Sequence, residues 1–252
     1  MISATDRETT RKIEAVPRVR PWLAAKAFAR VMRDPEDTES GANFVLALEG
    51  RNAERLFERF RSDPKGARIL SQNRDLPAAL EDREALRAMP ADSLGRAYLD
   101  FVETENISSE GLASVTRAPS DRFLAITTPE RRIMNDRITY LHDVWHVATG
   151  YSRDLVGEAC LIAFSYVQLG TRAYRLLIPL SYIGMGFRVP GMRALLRDAY
   201  RRSKRAEWLL VADWEALLGQ PLTRVREELG IGPPPSYTRY FQVGSKLVAE
   251  SS

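Results

Sequence analysis

The sequence predicts an all-α fold, a single-domain helical bundle. Three observations support this. Apolar residues recur at three- and four-residue spacing through most of the chain, as on the buried face of a helix. No stretch alternates polar and apolar residues long enough to make a convincing strand. Segment boundaries carry helix punctuation, with Ser, Thr or Asp before apolar runs and Gly or Pro after them. At 252 residues, 44% hydrophobic and 28% charged, the chain is long enough for one sizeable core and too apolar for a disordered protein.

The elements follow in order. Residues 1–20 are polar and weakly periodic and read as a tail. Pro21–Met32 reads as a helix with Leu23, Ala27 and Val31 on one face, stopped near Asp34-Pro35, and Pro35–Ser40 as a linker. Phe44, Leu46, Leu48, Leu56, Phe57 and Phe60 support one or two helices across 41–61, with Asp63-Pro64 and Lys65-Gly66 as end punctuation. Residues 70–90 read as short pieces, and Asp92 or Ser93 can cap a helix carrying Leu94, Tyr98, Leu99, Phe101 and Val102. A long helix is expected from Thr127-Thr128-Pro129-Glu130 to Gly150. The next runs from a cap at Ser152 or Asp154 to about Tyr174. An apolar piece at 176–187 is broken by Pro179, Gly184 and Gly186. After a turn at Val189-Pro190-Gly191, a basic helix spans Met192 to Leu218, and Pro221–Leu229 is a short last helix. Arg201, Arg202, Lys204 and Arg205 read as a solvated face, whereas Met134, Trp145, Trp208 and Trp214 read as core.

Composition excludes several classes. Lys plus Arg is 37 against 33 Asp plus Glu, a net charge of +4 interspersed along the chain. That fits weak attraction to an anionic surface and gives no nucleic-acid footprint. The single Cys160 excludes an intrachain disulfide and a thiolate-rich metal site. The charge-free runs Ala159–Thr171 and Leu176–Phe187 fall short of the ~18–20 residues of a spanning helix. No signal-peptide core opens the chain, so the expected location is cytoplasmic, with membrane contact at most peripheral.

The chemistry concentrates in one place. The chain has two histidines, His142 and His146, four residues apart inside the best-marked helix. That spacing puts both imidazoles on one face, where they can share one ion. Asp143 lies at the edge of that face. Glu158 falls one turn into the following helix and can swing opposite His146 across a short turn. Such nitrogen and oxygen donors suit a divalent ion: zinc, iron, manganese or cobalt. The zinc-protease helix needs Glu where Asp143 stands, and the His-Asp phosphohydrolases need a further upstream histidine that this chain lacks.

On these residues the chain resembles ubiquinone (coenzyme Q) biosynthesis proteins of the Coq-four family. The run HDVWHVATGYSRDLVGE, from His142 to Glu158, is similar to the family hallmark His-Asp-x-x-His-x11-Glu. LRAMPADSLGRAYLDF at 86–101 and DWEALLGQPLTRVREELGI at 213–231 are similar to two further family blocks in the same order. The resemblance covers roughly residues 40–235. It implies a domain at 21–235 between an N-terminal tail and a C-terminal tail at 236–252. It also implies a divalent metal, most often taken as zinc, held by His142, Asp143, His146 and Glu158, which would be the catalytic residues. Asp143 is the weakest of these ligands, since neighbours on a helix point about 100° apart, and it can instead fix an imidazole.

The implied activity is loss of the C1 carboxylate from a prenylated benzoate precursor with hydroxylation at that carbon. The alternative is a non-catalytic prenyl-lipid-binding scaffold organising other ubiquinone biosynthesis proteins. Partners would be a prenylated aromatic lipid, those proteins and the inner-membrane surface; a homodimer is compatible. The apolar residues beyond Glu158 suit such a tail, with Tyr166, Leu180, Met185 and Phe187 as candidate substrate contacts at a channel mouth or membrane surface.

Overall fold

A computed structural model describes residues 19–31, 33, 37–105, 128–243 and 246–250. Among them the fold is all-α apart from one small hairpin. The helices are α1 Pro21–Val31, α2 Thr38–Glu49, α3 Asn52–Ser62, α4 Pro64–Ser71, α5 Leu76–Glu81, α6 Arg83–Ala88 and α7 Leu94–Thr104. They continue with α8 Pro129–Thr149, α9 Leu155–Leu169, α10 Tyr174–Gly184, α11 Met192–Arg205, α12 Trp214–Leu217 and α13 Leu222–Glu228. The antiparallel strands β1 Tyr240–Val243 and β2 Lys246–Ala249 pair Tyr240 with Ala249 and Val243 with Lys246.

The main core gathers around α8 and α9. Phe60, Leu94, Leu99, Leu141, Val144, Trp145, Leu161, Phe164, Leu196, Trp214 and Val225 are buried together there. Helix α8 lies against α7 and α5, and α9 against α10 and α11. A smaller cluster joins α1 and α2 to the segment before α10 through Ala24, Ala27, Phe44, Ala47 and Ala173. The buried face of α1 is therefore Ala24 and Ala27, while Leu23 is exposed. The expected stop at Asp34-Pro35 and the tail over 1–18 lie outside the described residues.

Several boundaries differ from expectation for local reasons. Asp63-Pro64-Lys65-Gly66 opens α4 rather than punctuating a loop: the Asp63 carboxylate accepts from the Lys65 and Gly66 amides, and Pro64 takes the first helical position. Gly66 is needed there, because a Cβ would sit 2.0 Å from the Phe60 carbonyl oxygen. Helix α9 stops at Leu169, short of Tyr174, and α10 runs unbroken through Pro179. Arg175, Leu176 and Leu180 around that proline are exposed, so water can satisfy the carbonyl it leaves unpaired. The basic helix ends at Arg205 because Ala206 turns extended, and Asp213 then caps α12. Its basic run is split: Arg201, Lys204 and Arg205 are exposed, but Arg202 is 3% exposed. The hairpin at 240–249 has too few residues to announce itself by alternation. Met134, Trp145 and Trp214 are core, and Trp208 is half-buried beneath the Arg59 guanidinium. No described helix is long and apolar enough to cross a membrane.

The contrast between α8 and α10 is testable. Leu141→Ala removes a side chain with no exposure and is expected to cost about 2–5 kcal/mol. Leu180→Ala removes one that is 44% exposed and is expected to cost under about 0.5 kcal/mol. Urea unfolding at equal slope checks both; equal midpoints for the two variants would contradict this core assignment.

Candidate metal centre

Two helix starts build the site. Thr128 caps α8, its hydroxyl accepting from the Arg131 amide at 3.4 Å with Pro129 following. The cap is thus Thr128; Thr127 lies outside the described residues. Asp154, not Ser152, caps α9, accepting from the Val156 amide at 3.0 Å, and this sets Glu158 in the first turn of α9. Between them Gly150 takes the left-handed conformation at φ +79° and reverses the chain.

The reversal brings the Glu158 carboxylate onto both imidazoles. Glu158 Oε1 lies 3.3 Å from His146 Nε2, and Oε2 lies 3.8 Å from His142 Nε2. The two rings sit edge to face with centroids 4.8 Å apart. Asp143 is buried, and its Oδ1 lies 3.2 Å from His142 Nδ1. One ligand atom from each of His142, Asp143 and His146 falls within 4.8 Å of the others, a group that could hold a metal ion.

His146 carries the decisive geometry. Its Nδ1 lies 2.8 Å from the Tyr151 carbonyl oxygen. A carbonyl only accepts, so Nδ1 carries the hydrogen and the neutral ring presents a lone pair at Nε2. That Nε2 is buried with no hydrogen-bond partner and faces a carboxylate oxygen. A proton on Nε2 or a metal ion reconciles two acceptors so placed, and a buried polar atom left unpaired is costly. The donor set therefore fits a divalent ion.

The charges agree. Burial opposes charging of His142, but the Asp143 hydrogen bond and the Glu158 and Asp143 carboxylates outweigh it and hold its pKa above the usual imidazole value. Burial also pushes Glu158 up, but His146 and His142 when protonated, helped by Arg153, outweigh it and hold the carboxyl below the ordinary glutamate value. The site thus favours an anion at Glu158 and positive charge beside it.

The other sequence candidates are not part of the His142, Asp143 and His146 group. Tyr166 is half-buried on α9, two turns beyond Glu158. Met185 ends α10 and packs against the main core. Leu180 is 44% exposed and Phe187 is 79% exposed. Three participants were not singled out as site residues. Phe101 of α7 stacks on the His146 ring with centroids 5.6 Å apart, and the Phe-bearing apolar pattern of that helix marked it only as core. The Tyr151 carbonyl leaves no trace in a sequence, since every residue has one. Arg153 could have been noticed as the one basic residue between His146 and Glu158.

A family model described as Coenzyme Q (ubiquinone) biosynthesis protein Coq4 matches residues 11–235. The Rattus norvegicus protein named "Ubiquinone biosynthesis protein COQ4 homolog, mitochondrial" is 29% identical over 234 residues, covering 89% of this chain and 83% of its own. Its Homo sapiens namesake is 28% identical over 226 residues, covering 86% and 80%. The crystal structure of a Nostoc punctiforme protein provisionally assigned to ubiquinone biosynthesis superposes with a TM-score of 0.60. It is 16% identical and covers 86% of this chain and 100% of its own, a likeness of fold.

Glu158→Gln is expected to abolish stable uptake of one divalent ion while leaving the fold intact. Loss of a carboxylate from a first helical turn costs only about 0.3–1 kcal/mol, whereas a neutral amide is a poor ligand. Metal content by mass spectrometry beside a thermal melt checks this; wild-type metal occupancy in the variant would remove Glu158 from the centre.

Proposed function

Because this chain belongs to the Coq4 family of coenzyme Q (ubiquinone) biosynthesis proteins, we propose that it is a metal-dependent enzyme of that pathway. It replaces the C1 carboxylate of a prenylated benzoate precursor by a hydroxyl: carbon dioxide leaves, and molecular oxygen, as co-substrate, is the oxidant and the source of the new oxygen. The observation that carries this reading is the buried, donor-less His146 Nε2 facing the Glu158 carboxylate. His142, His146 and Glu158 hold the ion. Asp143 ligates it or fixes the His142 ring from its Nδ1 side.

The His142 side chain is 43% exposed while that of His146 is fully buried, so the substrate approaches from the His142 side. Phe101 closes the opposite side by stacking on His146 and keeps water from it. Glu158 and Asp143 offset the charge of a cation there, and Arg153 places positive charge close to where a substrate carboxylate would arrive. When bound, a divalent ion (zinc, iron, manganese or cobalt) supplies stabilisation of the negative charge that develops as carbon dioxide leaves.

The lipid side of the reading rests on α10. Leu176, Leu180, Ile183 and Phe187 recur at spacings of four, three and four residues and are all exposed. Arg175 and Arg188 flank this stripe and are exposed too. An outward apolar stripe rimmed by arginine suits a membrane surface with anionic headgroups. Helix α10 packs on α9, which carries Glu158, so a prenyl tail leaving the bilayer has a short way to the centre. Tyr166 and Met185, on the inward side, are the tail contacts in this reading, and Leu180 and Phe187 its entrance.

Three measurements test the proposal. Protein reconstituted anaerobically with single metals, then given a prenylated 4-hydroxybenzoate derivative and oxygen, is expected to yield decarboxylated, hydroxylated product. Glu158→Gln is expected to lose at least about 99% of that rate, as loss of a metal ligand requires. A Glu158→Gln chain that restores ubiquinone synthesis in a deletion strain at wild-type abundance would instead leave a scaffold for other pathway proteins. Leu180→Asp with Phe187→Asp is expected to weaken binding to phosphatidylglycerol vesicles by at least about tenfold, since each side chain offers roughly 1.5–3 kcal/mol of burial. Unchanged co-sedimentation would move the docking face elsewhere.

A further inference from the structure

The last turn of α8 carries His146, and its carbonyls are satisfied from far along the chain. A helix leaves its last four carbonyls without intrahelical partners. Here the His146 carbonyl accepts from the Gly150 amide at 2.9 Å. The next two belong to Arg226: its Nη2 donates to the Val147 carbonyl at 3.0 Å and its Nε to the Ala148 carbonyl at 2.9 Å. The fourth belongs to Arg202, whose Nη2 donates to the Thr149 carbonyl at 2.9 Å.

Arg202 does more than close that carbonyl. Its Nε donates to the Ile231 carbonyl at 3.1 Å and its Nη2 also to that of Gly232 at 3.4 Å, binding the α8 terminus to the segment after α13. Its guanidinium carbon lies 5.2 Å from the centre of the Tyr151 ring. A guanidinium can reach several carbonyls in one plane, which an ammonium cannot. Arg202 therefore holds Thr149 and Tyr151 together, and Tyr151 supplies the carbonyl that accepts from His146 Nδ1 at 2.8 Å.

We infer that Arg202 and Arg226 are positioning residues of the metal centre: by clamping the end of α8 they fix the Tyr151 carbonyl, which commits His146 Nδ1 as a donor and leaves Nε2 free to bind the ion. The inference rests on the metal reading above and adds the device that orients one ligand. It explains why a basic run contains a buried arginine. Met192, Leu196, Ala199, Arg202 and Ser203 are the buried residues of α11, and Arg202 carries that face to the end of α8. It also separates charge from contact. Both guanidiniums place positive charge at a helix C-terminus, where it is favourable, but only their forked geometry locks the turn.

The test uses the full chain and two readouts. The chain has only two histidines and His142 is half-exposed, so a slowly exchanging imidazole N–H, told from the indole N–H signals by its nitrogen shift, belongs to His146 in the metal-free protein. Wild type is expected to show that His146 Nδ1–H in proton NMR, protected from solvent. Arg202→Lys and Arg226→Lys keep the charge and lose the fork. Each is expected to speed exchange of that proton at least tenfold and to weaken zinc binding by about ten- to hundredfold in calorimetry, with backbone amide spectra that remain folded. Arg201→Lys makes the same exchange at an exposed position of the same helix and is expected to change neither readout. Wild-type exchange and zinc affinity in the lysine variants would overturn the inference, as would a wild-type chain with no protected His146 Nδ1–H. If Arg202→Lys does not fold, Arg226→Lys decides. If wild type binds no zinc, the metal reading fails while the N–H exchange still tests the clamp.

Discussion

The connection from Gly150 to Asp154 is the constraint on which the site depends. It must reverse the chain in a few residues, present one carbonyl to His146, and start α9 in a phase that turns Glu158 toward the imidazoles. Gly150 meets the first demand with a positive φ, and its missing side chain meets another: a Cβ there would lie 2.3 Å from that of Pro234. Asp154 meets the last by capping α9. One residue added between the Asp154 cap and Glu158 would turn the carboxylate by about 100° around α9 and carry it off the shared face.

Around that turn the protein arranges an asymmetric environment. One imidazole is sealed beneath Phe101 and the other stays half open, so an ion held between them would be screened on one side and accessible on the other. The acidic groups near it are few, and Arg153 tempers them. The main core is built of close-packed aliphatic and aromatic side chains, and rigid neighbours of this kind can keep ligand atoms in place before an ion arrives. Helix α10 has the opposite character, with no buried residue along its length. The chain thus sets a close-packed core beside a helix with no buried residue.

Much of this was legible in the sequence. His142 and His146 share a face because the helical period demands it, and Gly150 and the Asp154 cap bracket a turn short enough to return Glu158 to them. The all-α class followed from periodicity. What escaped the sequence was non-local. Arg202 looked like one charge in a solvated run, although the spacing of Met192, Leu196 and Ala199 already pointed it inward. Phe101 reaches His146 from another helix, and the Tyr151 carbonyl is a backbone group. Lys65-Gly66 looked like a helix end, because a glycine chosen for close approach to Phe60 is indistinguishable in one sequence from a glycine chosen for a turn. The strands escaped because each is four residues long and pairs only with the other.

The segment after α13 bears on how the chain could be divided. The match to the family ends at residue 235. Two residues later, the Tyr237 hydroxyl accepts from the Ser152 amide at 2.8 Å and donates to Asp154 Oδ2 at 3.0 Å, and the Tyr240 amide donates to Asp154 Oδ1 at 3.0 Å. The residues beyond the shared domain are thus stitched to the loop that aims Glu158. A trimmed chain drawn to the family boundary would keep every candidate ligand and lose the outer brace of that loop, so inheritance of the motif and inheritance of its support follow different borders.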